Sequence, residues 1–63
     1  MALERGVKFE WTKNGITYYT HANFVAENED GIDEKVNAYL EVEKEKDRNA
    51  TFVRSTKMEM REV

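Results

Sequence analysis

The chain has 63 residues, 13 acidic against 10 basic side chains, a net charge of −3 and no cysteine. Such a length leaves room for one domain without a linker, burying only about 60% of the surface its unfolded form exposes, and no disulfide or thiolate metal site can staple it. The longest apolar window, Ala22 to Ala26, is too short for a membrane span or a signal peptide. A soluble cytoplasmic protein that does not engage membranes is expected, and the acidic balance argues against a dedicated phosphate-backbone binder.

The first element pair lies in VKFEWTKNGITYYTHANFVAEN. Strand side chains alternate with period two, so Val7, Phe9 and Trp11 share one face of a strand, and Ile16, Tyr18, Thr20, Ala22 and Phe24 share one face of the next. Asn14-Gly15 between them favours the positive φ angles of a two-residue type I′ turn, whose twist matches that of the flanking strands. With that loop Lys13 opposes Ile16, Trp11 opposes Tyr18, Phe9 opposes Thr20 and Val7 opposes Ala22, which brings the apolar sets together.

Glu27 to Glu34 reads as an acidic loop around Asp30-Gly31. Beyond it two patterns compete. As a strand, Val36, Ala38, Leu40 and Val42 line one face; as a helix, Ile32, Val36, Tyr39, Leu40 and Val42 fall within one arc. The segment after Lys46 favours the strand, because a turn centred near Arg48 sets Leu40 against Thr56, Ala38 against Met58 and Val36 against Met60. The expected fold is therefore mostly β: a small antiparallel sheet of two hairpins and about four strands, open or curled into a barrel. The alternative is α+β with a helix at about 32–46.

Few residue sets suggest chemistry. His21 is the sole histidine and Ser55 the sole serine, with no nucleophile-elbow glycines around the latter. Glu27, Glu29, Asp30, Asp33 and Glu34 lack the alternating spacing of a calcium loop and read as a solvated surface. Asn49-Ala50-Thr51 fits a glycosylation acceptor but reads more simply as a turn. No cofactor or metal is expected.

The aromatic residues are more informative. Phe9, Trp11, Tyr18 and Phe24 belong to the core face, whereas Tyr19 points to the other face with His21 and with Lys8 on the neighbouring strand. Together with Lys13 these give a candidate binding set of Tyr19, His21, Lys8 and Lys13, in which flat amphipathic groups sit among charges. Val36, Leu40, Met58 and Met60 form a candidate interface, since one thin sheet cannot bury all its apolar residues. The expected function is a small non-enzymatic interaction or assembly module that binds a protein partner or itself, as a homodimer or higher oligomer. A nucleic-acid-binding β module ranks second and an enzyme last.

Overall fold

Asn14 and Gly15 have φ angles of 52° and 78°, the positive pair that a type I′ turn demands. In the computed structural model, which describes residues 1–63, this turn joins β1 (Leu3–Lys13) to β2 (Ile16–Ala26). Their pairing is the expected one at every position from Lys13↔Ile16 through Trp11↔Tyr18 to Val7↔Ala22, continuing to Leu3↔Ala26. Val7, Phe9, Trp11 and Phe24 are buried on one face of this hairpin, as their alternation requires.

The next segment takes the helical alternative. Helix α1 spans Glu29–Lys46 and is followed by β3 (Thr51–Glu62). The side chain of Asn28 caps the helix by accepting from the Gly31 amide at 2.8 Å. Glu29 and Asp30 lie in the first turn and Lys44 and Lys46 in the last, each sign matched to the helix dipole. From Glu29 to Glu34 the acidic stretch expected as a loop thus forms the first helical turns, with Glu27 and Asn28 left as the connection from β2. Gly31, which the sequence suggests as a turn residue, sits within α1 because a Cβ there would lie 2.9 Å from the Ala26 Cβ. It lets the helix start close against the end of β2.

With α1 formed, the second hairpin is not, and Val36–Met60, Ala38–Met58 and Leu40–Thr56 do not pair. β3 instead runs antiparallel to β1, giving one open three-stranded sheet in the order β2-β1-β3. The sheet does not close into a barrel. A strand would have set Tyr39 and Leu40 on opposite faces; the helix puts both toward the sheet, with Ile32 and Val36. Tyr39 fits between Phe9 and Phe24, with ring centroids 4.9 Å and 5.6 Å away.

The helix covers only part of one face. It is about 27 Å long at 1.5 Å per residue, whereas the molecule extends 42 × 19 × 13 Å. Six residues form the buried core: Val7, Phe9, Trp11, Phe24, Ile32 and Val36. Along β3 only Phe52 and Met60 are half-buried; the remainder of the strand is exposed. Its register against β1 shifts between Arg5 and Val7 and again between Glu10 and Trp11, each time leaving one extra residue on β3. At the first bulge Arg5 Nε donates to the Met58 carbonyl at 3.2 Å, and its guanidinium lies 3.5 Å from Glu29 on the helix.

Candidate interaction surface

The period-two alternation that sends Val7, Phe9 and Trp11 toward α1 sends Glu4, Lys8 and Glu10 to the uncovered face. β2 adds Thr17, Tyr19, His21, Asn23 and Val25, and β3 adds Arg54, Thr56, Met58 and Arg61. Lys8 is directly opposite His21 and diagonal to Tyr19. Its ammonium lies 5.0 Å from the centre of the Tyr19 ring, a cation–π contact on an exposed surface.

The arginines of this face are otherwise engaged. Arg54 lies 3.4 Å from Glu10, and Arg61 lies 2.6 Å from Glu4, whereas Lys8 forms no ion pair. The positive charge a phosphate backbone would need is thus largely matched by carboxylates on the same face. What remains is a mixed surface: Tyr19 at 53%, Val25 at 40% and Met58 at 45% exposure, among threonines, an asparagine and one histidine.

Of the four expected binding residues, Lys8, Tyr19 and His21 come together and Lys13 does not. Lys13 closes the hairpin on the helix side, where its ammonium donates to Asp47 Oδ2 at 2.7 Å. That hydrogen bond, reinforced by the charge of Asp47, raises the Lys13 pKa above the ordinary lysine value. The same bond holds the Asp47 carboxyl below the usual carboxylate range, with help from the Asn49 amide. Lys13 therefore ties the hairpin tip to the end of α1.

The expected interface set is divided as well. Val36 is a core residue, Leu40 and Met60 are half-buried against that core, and Met58 is on the uncovered face. The hairpin that would have aligned them is absent, so the four form no common patch. Ser55, opposite Phe9, and His21, opposite Lys8, lie on opposite faces of the sheet. The acidic residues are dispersed, with Glu29 beside Arg5, Asp33 3.7 Å from Lys57, and no group of three or more placed to hold a metal ion.

Gly6 is a part of the surface that alternation does not reveal. A Cβ there would lie 3.0 Å from Asn23 Oδ1 and 3.3 Å from Met58 Sδ. The bare backbone leaves a shallow hollow at the bulge, lined by Glu4, Gly6, Asn23, Met58, Glu59 and Arg61. A lone glycine inside a strand pattern is the sequence signal for such a bulge.

No protein-family model, curated protein or solved structure matches this chain. Its one helix is not long and apolar enough to cross a membrane.

Proposed function

We propose that this protein is a small non-enzymatic interaction module that works by binding another polypeptide through the uncovered face of its sheet, around Lys8, Tyr19 and His21. The observation that carries the reading is the division of the sheet. One face is committed to the core beneath α1, while the other exposes an aromatic ring, aliphatic side chains and a histidine outside that core. Tyrosine suits such a surface because it offers a large, stiff contact area with a polar tip.

Immobilised protein, challenged with lysate and compared with the Tyr19→Ala and Lys8→Ala variants, tests this reading. Capture of a defined protein by the parent chain, insensitive to moderate salt and lost on Tyr19→Ala, is the expected result. The Lys8–Tyr19 contact also suits base stacking. Retention of single-stranded oligonucleotide that falls steeply with salt would overturn the reading in favour of a nucleic-acid-binding module.

A further inference from the structure

The two edges of the sheet are built differently. β3 carries Arg54, Lys57, Glu59, Arg61 and Glu62 and is kinked by two register shifts, both of which discourage another strand from pairing with it. β2 carries no Asp, Glu, Lys or Arg over its 11 residues and pairs with β1 without a shift. In a chain of which 37% is charged, a long, regular, neutral edge is the feature that needs explaining.

The backbone groups available on that edge follow from the ladder. Lys13 and Ile16 flank a two-residue turn and face each other, so Ile16, Tyr18, Thr20, Ala22, Phe24 and Ala26 direct their amides and carbonyls toward β1. The exchange of both hydrogen bonds between Ala2 and Val63 on the other side of β1 sets the same alternation. Thr17, Tyr19, His21, Asn23 and Val25 therefore turn their amides and carbonyls outward. Val25 is already engaged, because the Lys35 ammonium on α1 donates to its carbonyl. The open run is Thr17 to Asn23, and its centre is Thr20.

We infer that this edge pairs with the same edge of a second copy, making a two-fold dimer with a continuous six-stranded sheet and both helices on one face. The inference goes beyond the interaction-module reading: the contact is the edge of β2 rather than the uncovered face, and the partner is a second copy of this chain. Antiparallel pairing about Thr20 sets Tyr19 against the partner's His21 and Thr17 against the partner's Asn23, so all four outward-facing residues of each edge find partners. On the helix side Ile16, 67% exposed in the single chain, meets the partner's Phe24, and Tyr18 meets the partner's Ala22. No pair in this register joins like charges. Val42, 53% exposed, lies on the same side of α1 as Lys35, seven residues on, where a second helix would cover it.

Sedimentation across the micromolar range, combined with amide hydrogen exchange, tests the proposal. The parent chain is expected to dimerise, with Thr17, Tyr19, His21 and Asn23 gaining protection as concentration rises while their neighbours, already bonded to β1, do not change. Asn23→Lys places a charge on the edge, and His21→Pro removes an outward amide without touching the β1 ladder; both should give folded monomers. A parent chain that stays monomeric, or a dimer that persists in both variants, would overturn the proposal. Capture of a different protein through Tyr19 by such a monomer would leave the interaction-module reading standing.

Discussion

The indole Nε1 of Trp11 donates to the hydroxyl of Thr20 at 3.0 Å, across the register that the Asn14-Gly15 turn sets. Trp11 is 2% exposed, so this hydroxyl is what satisfies an otherwise buried donor. Thr20→Val keeps the shape and removes the acceptor. It should destabilise the fold by roughly 1–3 kcal/mol in chemical denaturation, whereas Thr17→Val on the uncovered face should change stability by no more than about 0.5 kcal/mol. Equal effects would mean that the indole finds another partner.

Gly31 offers a test in which the usual sign reverses. Glycine to alanine within a helix ordinarily gains up to about 1 kcal/mol, yet here the new methyl would lie 2.9 Å from Ala26 Cβ. Gly31→Ala should therefore lower the melting temperature, and adding Ala26→Gly should recover most of the loss. A stabilised single variant would show that α1 moves away from β2 at little cost.

Adjacent tyrosines should behave differently. Tyr18 packs against the core and Tyr19 is 53% exposed. Tyr18→Ala is expected to destabilise the chain by roughly 1–3 kcal/mol, and Tyr19→Ala by less than about 0.5 kcal/mol, both read from urea unfolding at a concentration where the chain is monomeric.

The Lys13–Asp47 bridge gives stability a defined pH window. Asp47 has a lowered pKa in the folded chain, so its contribution is present above the ordinary carboxylate value and is lost as pH falls through the lowered one. Lys13 has a raised pKa, so its contribution is present below the ordinary lysine value and is lost as pH rises through the raised one. The melting-temperature difference between the parent chain and Lys13→Met should be greatest at neutral pH and shrink toward both extremes. A difference independent of pH would assign Lys13 a packing role only.

The hairpin register is legible from the turn back to Val7↔Ala22 because two local signals agree, the turn pair and the alternation of Val7, Phe9 and Trp11. The extension of β1 back to Leu3 is not, because Glu4, Arg5 and Gly6 carry no apolar alternation. Residues 29–34 read as a loop because Asp30-Gly31 carries a turn signal. The segment beyond Glu34 is ambiguous in the sequence because Val36, Ala38, Leu40 and Val42 satisfy period two, while Ile32, Val36, Tyr39, Leu40 and Val42 satisfy the helical period. What decides between them is tertiary. In the helix Tyr39 packs against both Phe9 and Phe24, and Gly31 permits the close approach to Ala26. Lys8, Tyr19 and His21 could be grouped from the hairpin register alone. The partner of Lys13 could not, because Asp47 reaches it only after the chain has passed through α1.

The central claim, that the uncovered face around Tyr19 is where this protein meets its partner, is tested most directly by site-specific photo-crosslinking. A photoreactive phenylalanine analogue at position 19 should yield a covalent protein adduct on irradiation in lysate, whether with a second copy or with another polypeptide. The same residue at position 45, on the exposed outer side of α1, should yield none. Adducts from position 45 alone, or nucleic acid as the product from position 19, would contradict the claim.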